Sequence, residues 1–152
     1  MRRLAVLVAL GSLGCGSRPS APTTPEPQSP AVAVAQFLAA VKAKNLVAMG
    51  RLWGDKDGPA RLADSVLTKR LTIIQIYLAH DGYRIVEGPI TVPGSADAVT
   101  FKVEFQRAQC NRVQPLDLVH TRRGGWLVND VHLETAGNPA SACKPGNPGT
   151  GP

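Results

Sequence analysis

Apolar residues recur every three or four positions in three segments of the first half of the chain, a spacing typical of amphipathic helices. The first segment is predicted to begin after the N-cap Ser29 and the second after the N-cap Asn45. The third is predicted to extend from Arg61 or Asp64 to His80. The residues expected to face inward are Val34, Phe37, Leu38 and Val41 in the first segment, Leu46, Met49, Leu52 and Trp53 in the second, and Val66, Leu67, Leu71, Ile74 and Leu78 in the third.

The second half of the chain changes to a period of two residues, which indicates β-strands. From Val99 to Phe105 apolar and polar residues alternate strictly, as in a half-buried antiparallel strand. Strands are also predicted at residues 83–92, 113–121 and 126–133. Residues 55–59, which are rich in Asp, Gly and Pro, are predicted to form a loop between the second and third helices.

Three of the four predicted strands change phase midway. The apolar positions move to the other face of the strand across Gly88-Pro89, across Pro115, and between Val128 and Val131. A phase change beside Gly or Pro is typical of a β-bulge, and bulges allow a sheet to curve strongly. The predicted fold class is therefore α+β, with three N-terminal helices packed on a strongly curved four-stranded antiparallel sheet.

The N-terminal segment has the order of a secretory signal. Met1-Arg2-Arg3 precedes the apolar run from Leu4 to Leu10, and small residues then lead to Cys15. A membrane-spanning helix needs roughly 20 apolar residues, more than this run supplies. Residues 12–15, Ser-Leu-Gly-Cys, resemble the lipobox of bacterial lipoproteins, although the family's leucine usually stands three positions before the cysteine and Leu13 stands two before.

The lipobox resemblance implies that residues 1–14 are removed as a signal peptide and that Cys15 carries a lipid anchor. In such lipoproteins an Asp after the cysteine favours the inner membrane. Gly16 stands there instead and implies the outer membrane, facing the periplasm. The predicted organisation is a signal peptide at 1–14, the lipidated cysteine and a Pro-rich tether at 15–30, an α+β domain at 31–136, and a Gly/Pro-rich tail at 137–152.

Export gives the two remaining cysteines a role. Cys110 and Cys143 would lie in an oxidising compartment, where a disulfide is favoured over a metal site or a nucleophile.

The chain carries 17 Lys and Arg against 11 Asp and Glu, a net charge of +6. Because these basic residues are scattered and form no run, nucleic-acid binding is not predicted.

The body of the chain is similar to a known superfamily. Residues 34–46, 51–54 and 125–131 resemble the opening helix, the segment after it and the closing Gly-x-Trp strand of the nuclear transport factor 2-like (SnoaL-like) superfamily. This resemblance implies a cone-shaped fold with a cavity between sheet and helices; a cystatin-like roll is the alternative. Polyketide cyclases and ketosteroid isomerases of the superfamily keep acid/base residues in that cavity, but many members have no chemistry there.

Asp130 and His132 on the last strand are the candidate catalytic residues, with Asp117, Tyr77 and Tyr83 as cavity neighbours. A carboxylate held among apolar neighbours would have a raised pKa, as a general base requires. The simpler interpretation is that Asp130 sits at the bulge, accepts hydrogen bonds from backbone donors and faces solvent.

No metal site is predicted, because neither register of the last hairpin lets His120 and His132 bind one ion. His80 is expected to cap the end of the third helix. No cofactor motif, phosphate loop or nucleophile elbow is present in the sequence.

The leading functional hypothesis is a non-enzymatic, membrane-tethered domain that binds a partner or a small apolar ligand in or beside the cone; pairing into a homodimer is a further option. The alternatives are a ketosteroid-isomerase-like or cyclase-like enzyme and a structural protein of the envelope. The enzyme hypothesis requires Asp130 or His132 to face a closed cavity, within about 3 Å of a second polar group.

Overall fold

The computed structural model describes residues 25–61, 63–107 and 110–135. Within these ranges the chain is α+β, with three helices and a four-stranded antiparallel sheet of order β3-β4-β5-β6, which confirms that part of the predicted fold class. The elements are α1 (Pro30–Lys42), α2 (Leu46–Arg51), β1 (Gly54–Asp55), β2 (Gly58–Pro59), α3 (Ser65–Tyr77), β3 (Gly82–Thr91), β4 (Ala98–Arg107), β5 (Cys110–His120) and β6 (Trp126–Val131).

Each helix begins at a side-chain cap that the sequence indicates. A side-chain oxygen of Ser29, Asn45 and Asp64 accepts a hydrogen bond from a backbone N–H in the first turn of α1, α2 and α3, respectively. Of the two predicted starts of α3, the structure therefore uses Asp64. The predicted end at His80 is wrong, because the helix stops at Tyr77.

Val66, which was expected to face inward, is 71% exposed. The buried residues of α3 and its C-cap, Leu67, Leu71, Ile74 and Leu78, are spaced by three or four positions, so they form one row along the helix. At 3.6 residues per turn, a residue directly before Leu67 is rotated by about 100° from this row. Val66 was therefore assigned to the wrong face.

Residues 54–59 form a two-stranded hairpin where a loop was predicted. Gly54 pairs with Pro59 and Asp55 with Gly58, while the Asp55 carboxylate accepts a hydrogen bond from the backbone N–H of Asp57 at 2.8 Å. The predicted turn chemistry is present, but the pairing on either side of it was missed. The hairpin lies beside β6, since the Asn129 amide donates to the Gly54 carbonyl at 2.9 Å.

Two of the three predicted bulges are confirmed. The β3–β4 register shifts on both sides of Glu87, next to the cis Gly88-Pro89 bond. The β5–β6 register shifts between Asp117 and Leu118, where Asn129 is the extra residue in β6. These positions correspond to the phase changes in the sequence.

The bulge predicted at Pro115 is wrong. The β4–β5 register continues unbroken from Ala98↔Val119 to Arg107↔Cys110. Gln114, which is 1% exposed, occupies an inward position that an apolar residue would ordinarily fill. Because the buried Gln114 is polar, the sequence pattern of β5 indicated a change of face at Pro115 that the strand does not make.

The two faces of the sheet differ sharply in burial. Phe101, Val103 and Phe105 of β4 are buried in the core, whereas the alternate residues lie on the opposite face, which we call the outer face. The core contains these residues together with apolar side chains of all three helices and of β5 and β6, including Phe37, Met49, Leu71, Leu116 and Val128. Within the described ranges no helix is long and apolar enough to cross a membrane.

The segment before α1 contacts the turn between β5 and β6. The Trp126 N–H donates to the Pro27 carbonyl at 2.8 Å, and the Thr121 hydroxyl donates to the Glu26 carboxylate at 2.5 Å. From this point α1 extends over 13 residues, or about 20 Å at 1.5 Å per residue. The end of α1 therefore lies well away from the place where the chain enters the domain.

Candidate functional site

The outer face of the sheet carries a row of polar side chains that includes His132. Asp117 Oδ1 accepts a hydrogen bond from Thr100 Oγ1 at 2.6 Å, and Asp117 Oδ2 lies 2.9 Å from His132 Nε2. His132 Nδ1 in turn lies 3.0 Å from Glu134 Oε1. Thr100 and Asp117 meet because they are directly paired between β4 and β5, on the face opposite to the core.

This arrangement favours the protonated imidazole ring. The hydrogen bond to Asp117 raises the pKa of His132, and Glu134 acts in the same direction, while partial burial opposes both. The pKa of Glu134 is lowered, first by a hydrogen bond with its own backbone and then by His132. An imidazolium ring with a carboxylate at each nitrogen has no lone pair for a substrate proton, so the geometry does not favour a general base.

Asp130 forms a surface ion pair. Its Oδ1 accepts from the backbone N–H of Val131 at 2.8 Å and from Arg70 Nη2 at 2.7 Å. The Arg70 guanidinium lies over the Trp53 ring, 5.0 Å from the ring centroid. The side chain of Asp130 is 42% exposed and accepts a hydrogen bond from a backbone donor, in agreement with the simpler interpretation of this residue. Its contact with Arg70 was not predicted.

The other predicted polar residues do not gather into one site. The His120 ring packs on Trp126 with centroids 4.9 Å apart, while His132 contacts Asp117. His80 lies beyond the end of α3, where its Nδ1 is 2.8 Å from the Leu78 carbonyl oxygen. Among the described residues no group of three or more His, Cys, Asp and Glu could hold a metal ion.

An open cleft of about 380 Å³ lies where the C-terminal ends of α1 and α3 meet the end of β4. Its apolar walls are Val41, Ile76 and Ala79, and its cationic side chains are Lys42, Lys44 and Arg107; Gln75 and His80 complete it. A smaller adjoining cleft of about 20 Å³ shares Ala79 and Arg107 and is also lined by Tyr77. Neither Asp130 nor His132 lines either cleft.

Two of the three cations in the larger cleft are held by backbone oxygens. Lys42 Nζ donates to the Asp81 carbonyl at 2.7 Å, and Arg107 Nη2 donates to the Ile76 carbonyl at 2.9 Å. The Ile76 carbonyl belongs to the last turn of α3, where carbonyl groups lack partners within the helix. The cleft could not be recognised in the sequence, because its walls come from three separate elements.

Compared with protein-family models, characterised proteins and solved structures, the chain matches none of them. The lipobox and superfamily resemblances therefore remain predictions. Cys15 and Cys143 lie outside the described residues, and Cys110 is described only as the first backbone position of β5, opposite Arg107. Lipidation of Cys15 and the Cys110–Cys143 disulfide likewise remain predictions.

Proposed function

We propose that this chain is an envelope lipoprotein in which acylated Cys15 tethers a small-ligand-binding domain to the outer membrane. The observation that carries the binding function is the open cleft of about 380 Å³ between the ends of α1, α3 and β4. Small-molecule sites are typically concave, mostly apolar and about 300–1,000 Å³ in volume, with a few polar groups that orient the ligand. The cleft lies within this range of volume, and polar side chains of Lys42, Lys44, Gln75, His80 and Arg107 stand beside its apolar wall.

The position of the cleft also supports a tethered binding domain. The N-terminal segment reaches the domain beside Thr121 and Trp126, next to the start of α1. The cleft lies at the other end of this 13-residue helix, about 20 Å away. A tether attached at one end leaves the cleft at the far end accessible to ligands in the periplasm.

Binding without catalysis is favoured by the surroundings of Asp130 and His132. Each forms ion-pair contacts at the surface, with Arg70 in one case and with Asp117 and Glu134 in the other. The finer fold assignment, a strongly curved cone of the nuclear transport factor 2-like type, is also part of the proposal. It is supported by the register shifts in β3–β4 and β5–β6.

The tether is tested by replacing Cys15 with Ser. We expect the native protein to be found in the membrane fraction with acyl mass on Cys15, and the variant to be recovered in soluble form. A variant that remains equally membrane-bound, together with a native protein that carries no acyl mass, would contradict the proposed anchor.

The cleft is tested on the full chain carrying Cys15→Ser, purified without detergent, because a detergent tail would compete for an apolar cleft. Native mass spectrometry should detect a non-covalent small-molecule adduct. Ile76→Arg, in the cleft wall, should remove the adduct. The control is Val66→Arg, because Val66 is exposed on the same helix but does not line the cleft. An adduct that survives Ile76→Arg, or no adduct on the parent chain, would contradict the proposed site.

A further inference from the structure

The larger cleft combines an apolar wall with concentrated positive charge. Ile76 is 52% exposed, and it lines the cleft together with Val41 and Ala79. Lys42, Lys44 and Arg107 line the same space. An apolar wall and a cationic rim match a ligand that has both a hydrocarbon part and an acidic group.

The positive charge in the cleft is only partly offset. Lys42 and Arg107 bond to peptide oxygens, which carry partial charges, and Lys44 has no hydrogen-bond acceptor among the described residues. No acidic side chain lines either cleft within the described part of the chain. Asp81, whose carbonyl oxygen accepts a hydrogen bond from Lys42, carries one negative charge, whereas three cations line the cleft. Positive charge therefore remains in excess.

We propose that the ligand of this cleft is a small anionic amphiphile. A carboxylate or phosphate head lies between Lys44 and Arg107, and the hydrocarbon part lies along Val41, Ile76 and Ala79. This inference rests on the proposed binding function and names the chemical class of its ligand. Arginine and lysine both bind carboxylate and phosphate through charge-assisted hydrogen bonds, so the head group is defined by its charge.

The volume of the cleft guides the choice of probes. At about 30 Å³ per water-sized group, a cleft of 380 Å³ holds about a dozen heavy atoms. Octanoate, with a chain of eight carbons, and octyl phosphate are therefore suitable probes. Acetate and inorganic phosphate supply the head groups alone, and octanol supplies the hydrocarbon part without charge.

Isothermal titration of the full chain carrying Cys15→Ser with these probes tests the ligand class. Octanoate and octyl phosphate should bind at least about tenfold more tightly than octanol, because only they engage the cations. Acetate and inorganic phosphate should bind more weakly than either amphiphile, because they lack the apolar part. Added salt should weaken the binding of octanoate more than that of octanol.

Two variants test the cations. Arg107→Gln could also disturb the end of α3, because Arg107 bonds to the Ile76 carbonyl, so Lys44→Gln is the second variant. In either variant the affinity for octanoate should fall severalfold toward that of octanol, while octanol binding stays constant. The control is Lys69→Gln, which removes an exposed charge of α3 that does not line the cleft and should leave all affinities unchanged.

Several outcomes would overturn the inference. Octanol binding as tightly as octanoate would refute the anionic ligand class but leave the binding function intact, because the cleft would still be occupied. Inorganic phosphate binding as tightly as octyl phosphate would indicate a free anion as the ligand and would also refute the amphiphile. Absence of binding by every probe would refute this ligand class, whereas the native mass spectrometry of the Ile76 and Val66 variants tests the binding function separately.

Discussion

Replacing His132 with Gln tests the electrostatics of the outer face. The variant removes the ring that lies 2.9 Å from Asp117 and 3.0 Å from Glu134. The side chains of His132 and Asp117 are 34% and 28% exposed, so water screens their interaction considerably. Partly exposed ion pairs of this kind contribute at most about 1 kcal/mol, and we expect His132→Gln to lower the free energy of unfolding by about that amount at pH 5.5.

The pH dependence has a definite sign. The folded-state pKa of His132 is raised above its ordinary value of 6.5 by Asp117 and Glu134. A raised pKa means that the stabilisation is fully present below about pH 6.5 and is lost as the pH rises through the folded-state value. The destabilisation caused by His132→Gln should therefore be largest near pH 5.5 and should be small at pH 9.

Urea denaturation of the parent chain and the variant at pH 5.5 and pH 9 measures this difference. His120→Gln is the matched control, because the described contact of its ring is with Trp126 and with no carboxylate. The effect of the control substitution should be similar at both pH values. An equal loss of stability for His132→Gln at both pH values, or a larger loss at pH 9, would show that the protonated ring does not stabilise the fold through these carboxylates.

Two further predictions rest on local geometry, and a third rests on the sequence. Gly54→Ala should lower the free energy of unfolding by about 1–3 kcal/mol in urea denaturation, because an added Cβ would lie 2.2 Å from a backbone oxygen of the facing hairpin strand. Gly82→Ala should lower it less, because its Cβ would meet only the end of a side chain, at 2.9 Å. Equal losses of stability in the two variants would contradict this explanation. Asp130→Asn removes an exposed ion pair, so it should lower the free energy of unfolding by less than about 1 kcal/mol in the same assay and leave the affinity for octanoate unchanged. Loss of octanoate affinity in this variant would contradict the cleft as the binding site. If Cys110 and Cys143 form a disulfide, the exported protein should resist alkylation until it is reduced, and mass spectrometry that finds both thiols alkylated beforehand would refute the bridge.

The helix starts and the strand pattern could be predicted because their signals are local. The caps Ser29, Asn45 and Asp64 satisfy backbone N–H groups within three residues of themselves. The strict alternation from Val99 to Phe105 follows from one buried and one exposed face. Local hydrogen bonds and periodicity are properties of the sequence itself, so no tertiary contact was needed to recognise them.

One error arose where a tertiary contact overrides the local pattern, and another arose where the local pattern was misread. Gln114 occupies a buried position because its amide donates to the His132 carbonyl, which makes a polar residue acceptable in the core. Val66 is apolar yet exposed, since the adjacent Leu67 belongs to the buried row. In both cases the residue type alone predicted the opposite environment.

The candidate sites depend on contacts between distant parts of the chain. Arg70 and Asp130 are 60 residues apart, and the bulge in β6 decides which residues of β5 lie near Asp130 and His132. The cleft likewise needs Lys42 of α1 and Arg107 of β4 at the same end of the fold. These contacts are set by the topology and register of the fold. They could not be predicted from basic residues that are scattered along the sequence.

The most direct test of the binding function is a map of backbone amide chemical shifts before and after bound small molecules are extracted from the purified full chain. The largest shift changes should occur at residues 41–44, residues 75–80 and Arg107, the segments that surround the larger cleft. Little change is expected around Asp117 and His132. Changes concentrated at Asp117, His132 and Glu134, with none at the cleft, would contradict the proposed function.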